Sequence, residues 1–122
     1  MRYREFLKRV AYHSGFSDSE SMEATQVFME TLATRINYAE LRNFVSQLPQ
    51  EVADMATPAV GKFEKFHGDE FLERIAEKQH ITTAHAKKQM YSVWQTLKEA
   101  VDEGQINHLR SQLPNDMVEL LH

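Results

Sequence analysis

Six histidines, His13, His67, His80, His85, His108 and His122, are the residues of this 122-residue chain best suited to acid–base or metal chemistry. Imidazole changes charge near neutral pH and is a common metal ligand. Their spacing argues against both roles. A metal pair on one helix needs ligands at i and i+4 with a carboxylate to complete the set, whereas His80 and His85 stand five apart across a predicted loop and cap. His67 falls in a linker and His122 is the last residue. No nucleophile motif surrounds any of them. They read as surface or capping histidines, so no metal, no cofactor and no catalytic residue is expected.

Four other residues are the candidates for an interaction role. Glu5 with Arg9, and Glu70 with Arg74, place a carboxylate one helical turn before a guanidinium, the favourable orientation for such a pair. As solvated pairs they contribute about 0.3 to 0.5 kcal/mol each; the sharper alternative is that Arg9 and Arg74 bridge to the opposite half or grip an acidic partner. Phe63 and Phe66 lie in a charged segment with Lys62, Glu64, Lys65 and His67 around them. Either they lock that segment onto the fold or they anchor another protein, and the internal lock is the expectation because large exposed apolar patches are uncommon. Trp94, Met29, Met90 and Tyr91 read as packed core rather than as the lining of a ligand cavity.

The elements that must position these residues are all helical. Tyr3, Phe6, Leu7, Val10 and Ala11 make the stripe of an amphipathic helix that breaks near Ser14-Gly15. Ser17 and Glu20 form a capping box ahead of a long second helix with Met22, Thr25, Met29, Leu32 and Ile36 on one face and Ala24, Phe28 and Thr31 widening it. A third helix carries Leu41, Phe44, Val45 and Leu48. Proline excludes the residue before it from the helical region and suits a first turn, so the chain turns at Leu48 and restarts at Pro49. Glu51 then falls where a carboxylate faces the positive end of a helix dipole.

Most of these features return 65 residues later, although His85 replaces the capping carboxylate Glu20. Glu5, Phe6, Leu7, Arg9 and Ala11 come back as Glu70, Phe71, Leu72, Arg74 and Ala76, and Ser46-Gln47-Leu48-Pro49 comes back as Ser111-Gln112-Leu113-Pro114. Thr82 takes the cap position of Ser17, Asp116 that of Glu51, and Ala86, Met90, Val93, Trp94, Leu97 and Val101 rebuild the long stripe. Arg110 stands where Val45 stood, which predicts a more exposed third helix in the second copy. A fixed period implies a copied unit that stacks on its original to bury what neither buries alone. The expectation is an all-α fold, a tandem-duplicated helical bundle with two similar halves of three to four helices. Residues 1–57 and 69–122 are the repeats of one domain, and 58–68, with Pro58, Gly61 and Gly68, is the linker.

Composition narrows the function. A net charge of −4 divides evenly, with 6 basic and 8 acidic side chains in residues 1–57 and 8 and 10 in the remainder. Phosphate binding needs clustered cations, and the one dense cluster, Arg2, Arg4, Lys8 and Arg9, is not repeated: Asp69 and Glu73 replace Arg4 and Lys8. It reads as a solvated helix face, and no nucleic-acid partner is expected. The absence of cysteine removes disulfides and thiolate chemistry. No run approaches the roughly 20 apolar residues of a membrane span, and the charged N-terminus lacks a signal-like core. The reading is a soluble cytoplasmic chain with no membrane partner.

The chain resembles an uncharacterised bacterial family, domain of unknown function 2267. The resemblance rests on Glu5-Phe6-Leu7-Lys8-Arg9-Val10-Ala11, Glu30-Thr31-Leu32-Ala33-Thr34-Arg35-Ile36, Gln47-Leu48-Pro49-Gln50-Glu51 and Phe71-Leu72-Glu73-Arg74-Ile75-Ala76, in that order and spacing. It implies an all-helical fold of two similar halves and carries over no activity or catalytic set. With no convergent polar set, the sequence favours a noncatalytic module that binds a protein partner, or itself as a homo-oligomer. The alternative is a small-molecule binder or cryptic enzyme in the crevice between the halves. A deep crevice lined by His or Arg favours the second; a shallow, apolar, self-complementary face favours the first.

Overall fold

Two left-handed caps and two leucine-proline corners divide the chain into eight α-helices among the residues described. A computed structural model describes residues 1–59 and 61–121; Val60, within the expected linker, and His122 lie outside the described residues. The helices are α1 (Tyr3–Ser14), α2 (Asp18–Arg35), α3 (Tyr38–Val45), α4 (Gln50–Asp54), α5 (Gly68–Gln79), α6 (Thr83–Ala100), α7 (Glu103–Ser111) and α8 (Asn115–Leu120). A 3₁₀ turn, Thr57–Ala59, follows α4, and no strand occurs among the described residues. The protein is all-α.

Local chemistry sets each boundary. Gly15 ends α1 at φ 70°, and His80 ends α5 at φ 56°, a conformation that costs a side chain with a Cβ but nothing for glycine. Ser17 Oγ accepts from the Glu20 N–H at 3.1 Å, Asn37 Oδ1 from Glu40 at 2.9 Å, Thr82 Oγ1 from His85 at 3.1 Å and Asp102 Oδ1 from Gln105 at 2.9 Å. Each satisfies a helix-start donor that has no partner within the helix. Pro49 and Pro114 stand at the N-caps of α4 and α8, one residue earlier than the first turn expected of them.

Helices α2 and α6 are central. α1 packs on α6 and α2, α5 on α2 and α6, α3 on α7, and α8 on α5. Trp94, Phe28, Met29, Leu32 and Leu97 are buried on the two central helices, with Phe6 and Phe71 entering from α1 and α5. The central helices also bury threonine hydroxyls, and these return to their own backbone. Thr25 donates to the Ser21 carbonyl at 2.7 Å, Thr31 to Val27 at 2.7 Å and Thr96 to Ser92 at 2.9 Å, which removes the cost of leaving them unpaired.

Three expectations about burial are corrected. Met22 is 45% exposed and Tyr91 46%, so neither belongs to the core. Arg110 is half-buried, as Val45 is, because its guanidinium carbon lies 5.7 Å from the Trp94 ring centre and its stem covers that side of the core. Asp116 lies in the first turn of α8, but its Oδ2 accepts from the Gly68 N–H at 2.8 Å and so caps α5. Gly68 permits this approach, since a Cβ there would sit 2.9 Å from the Asp116 carbonyl oxygen.

Candidate functional site

The four interaction candidates divide into two structural groups. Arg9, on α1, pairs with Glu5 at 2.8 Å and reaches across to Glu99 of α6 at 3.5 Å. Arg74, on α5, bonds Glu70 and, at 3.0 Å, Glu64 of the preceding segment, while its guanidinium carbon lies 4.0 Å above the Phe66 ring. The hydrogen bond to Glu64 does most to raise the Arg74 pKa; burial opposes it and Glu70 reinforces it. Phe66 is only 6% exposed, stacks on Phe71 at 6.2 Å and offers its carbonyl to Arg35 Nε at 2.8 Å. Phe66 and Arg74 therefore fasten the segment before α5 to the core. Phe63 is 48% exposed and separates from them.

The histidines meet carboxylates brought from distant sequence. His13 Nε2 lies 2.9 Å from Glu99, and His108 Nε2 lies 2.8 Å from Glu40. His85 Nε2 contacts Glu20, the residue 65 positions before it. Glu20 also accepts from Gln89 at 3.0 Å, and Gln89 exchanges amide hydrogen bonds with Gln79. The expected capping box is therefore half formed: Ser17 caps, but the Glu20 carboxylate turns to α6. Burial pushes the Glu20 carboxyl up, and the hydrogen bonds from Gln89 and His85 with the His85 charge more than reverse this, leaving it below its usual value. Glu40 is 4% exposed, and its oxygens are occupied by His108 and by Gln105 Nε2 at 3.1 Å. His67 lies 3.8 Å from Asp116, and His80 serves as the left-handed cap of α5.

Two openings lie along these contacts. A polar crevice of about 260 Å³, where α2 and α6 begin, is lined by Glu20, Glu23, Gln79, His85 and Gln89 among others. A larger open groove of about 570 Å³ runs between the end of α1 and the outer face of α6, lined by His13, Ser14, Ala84, Lys87, Lys88 and Tyr91. Lys87 and Lys88 make no ion pair among the described residues, whereas Arg9, Arg74 and Lys78 all do. Tyr12, 85% exposed, packs the edge of its ring against His13 at 5.8 Å.

The groove escaped the sequence reading, although its signal was present. Ala84, Lys87, Lys88 and Tyr91 stand at i, i+3, i+4 and i+7, a second face of α6 turned away from the stripe of Ala86, Met90, Val93 and Trp94. Among the described residues no group of three or more His, Cys, Asp or Glu side chains is placed to hold a metal ion, and no helix is long and apolar enough to cross a membrane.

Comparison with curated proteins yields no relative for this chain. The family model described as "Uncharacterized conserved protein (DUF2267)" matches residues 3–120, nearly the whole length, and the chain belongs to that family.

Proposed function

We propose that the protein is a noncatalytic helical module, built by tandem duplication from repeats 1–57 and 69–122 with a linker at 58–68, that binds a protein partner in the groove between α1 and α6. The observation that carries the reading is the pairing of half-exposed Tyr91 with Lys87 and Lys88, which make no ion pair among the described residues. A rigid aromatic beside uncommitted cations recognises an extended or helical segment carrying carboxylates. The crevice supports the same reading from the other side. Glu20, His85, Gln89 and Gln79 are hydrogen-bonded to one another and hold α2, α5 and α6 together.

A second reading keeps the groove and changes its occupant. His13 lines it with Nε2 beside Glu99, an arrangement in which a carboxylate accepting from Nε2–H orients an imidazole whose other nitrogen can accept a hydrogen bond from a small ligand. Site-specific photo-crosslinking in the native cell separates the two. A photoreactive residue at Ala84 or Tyr91 is expected to give a discrete protein adduct, with none from exposed Asp54 on α4. Adduct-free protein at both groove positions removes protein binding there and leaves the small-ligand reading.

A further inference from the structure

We infer that the occupant of the groove is a helix of another protein, with an apolar row flanked on both sides by carboxylates; this rests on reading the groove as a protein-docking surface. The inference begins with how far α1 reaches. Ser14, the last residue of α1, bonds Ser92, while Arg9 and His13 meet Glu99, so α1 runs antiparallel along the later half of α6 and stops there. Residues 83–91 of α6 continue past it for about 13 Å. On that length Ala84, Lys87, Lys88 and Tyr91 are all exposed, at the spacing of one helix face.

Backbone chemistry decides the shape of the occupant. An extended segment is held mainly by main-chain hydrogen bonds to a sheet edge. The described residues include no strand to offer one, and Lys87 to Tyr91 lie inside α6, where each N–H and C=O is already bonded along the helix. Docking would strip water from the main chain of an extended occupant and return no hydrogen bond for it. A helix bonds its own backbone and brings only side chains to the contact.

Those side chains are specified by the face they meet. With 3.6 residues per turn, Ala84 and Tyr91 lie in one row along α6, with Lys87 to one side of it and Lys88 to the other. Ala84, which ends at its Cβ, permits close approach of a second helix, and the Tyr91 ring offers apolar area to a leucine or methionine. Lys87 and Lys88 make no ion pair among the described residues, so each flank calls for a carboxylate. This is the arrangement of an apolar seam between charged edges by which paired helices choose partners.

Photo-crosslinking from Ala84 and Tyr91, with the adducts mapped on the captured protein by mass spectrometry, tests the helix. The two positions stand about 10 Å apart along α6, a span that a helix covers in about seven residues and a strand in about three. Both adducts are expected on one segment of another protein, about seven residues apart, with Asp or Glu between them. That segment, made as a peptide, is expected to bind the full chain by fluorescence anisotropy near 50 mM salt. Its affinity should fall about tenfold or more against K87E/K88E, both on exposed positions, and about a hundredfold when proline replaces its central residue. Adducts about three residues apart, or a tolerated proline, would overturn the helix while the docking groove stands. A segment without carboxylates, an affinity unchanged by K87E/K88E, or adducts found only on another copy of this chain would overturn the proposal as well. No adduct at either position removes the docking reading, and the helix with it.

Discussion

Replacing Phe66 by alanine is expected to cost about 3 kcal/mol, while the same change at Phe63, only three residues away, should cost less than about 0.5 kcal/mol. The difference follows from their surroundings. Phe66 is 6% exposed with Phe71 on one face at 6.2 Å and Arg74 over the ring at 4.0 Å, whereas Phe63 is 48% exposed. The Phe71 contact contributes about 0.5 to 1 kcal/mol beyond burial. The guanidinium adds a similar amount at a partly exposed site. Burial of the remaining apolar surface supplies roughly 1.5 kcal/mol or more.

Phe66→Leu separates these contributions. It keeps most of the buried area and removes both ring interactions, so a loss of about 1 to 1.5 kcal/mol is expected, less than half that of alanine. Urea unfolding followed by the fluorescence of the single, fully buried Trp94 gives all three values. An unchanged urea slope assigns the shifts to stability. A Phe66→Ala loss below about 1 kcal/mol, or a Phe63→Ala loss equal to it, would refute Phe66 as the residue that fastens the segment before α5.

Trp94→Ala, followed by circular dichroism, is expected to lose about 3 to 5 kcal/mol through the cavity it leaves between the central helices, enough to unfold a marginal domain; a loss under about 1 kcal/mol would contradict its burial. His80→Gly should stabilise by about 0.5 to 1 kcal/mol by relieving the left-handed cap, and Gly15→Ala should destabilise by about 1 kcal/mol at the matching position; a destabilising His80→Gly would mean that its side chain contributes more than the strain costs. Residues 1–57 alone are expected to be unfolded or dimeric by circular dichroism and sedimentation, since α1 and α2 lose the α5 and α6 surfaces they bury, and a stable folded monomer would contradict mutual burial. Glu20→Gln should lower stability at pH 6 by about 0.5 to 1 kcal/mol, an amount limited by partial exposure. The Glu20 carboxyl is held below its usual value, so its contribution is present above the ordinary carboxylate pKa of about 4.3 and disappears as pH falls through the lowered value. The gap between variant and wild type must therefore narrow as pH falls through that lowered value.

The helices were legible because their signals are local. Ser17, Thr82 and the two leucine-proline corners act within a few residues, and apolar periodicity over a dozen residues is enough to orient a helix. What depends on contacts between distant helices was not legible. Nothing near Glu20 announces that its carboxylate will leave the Ser17 cap for His85, and nothing near Arg110 announces Trp94 beneath it. Tyr91 was assigned to the core because aromatic residues at helical spacing usually are. α6, however, carries two stripes, and which one faces inward depends on where α1 and α2 lie.

On the proposed reading, residues 65 positions apart that agree and disagree in type point to the face that meets a partner. Phe6 and Phe71, Leu32 and Leu97, and Gly15 and His80 answer to packing or backbone demands that are the same in both places, and the first four of these residues are fully buried. Met22 and Lys87, Glu23 and Lys88, and Gln26 and Tyr91 also occupy equivalent places, yet all six are exposed and their chemistry differs. Exposed positions tolerate change with little effect on stability, and such change alone leaves mixed charges along a face. On α6, Lys87, Lys88 and Tyr91 instead line one groove, and neither lysine makes an ion pair among the described residues, which sets this face apart as the surface the proposed partner would meet.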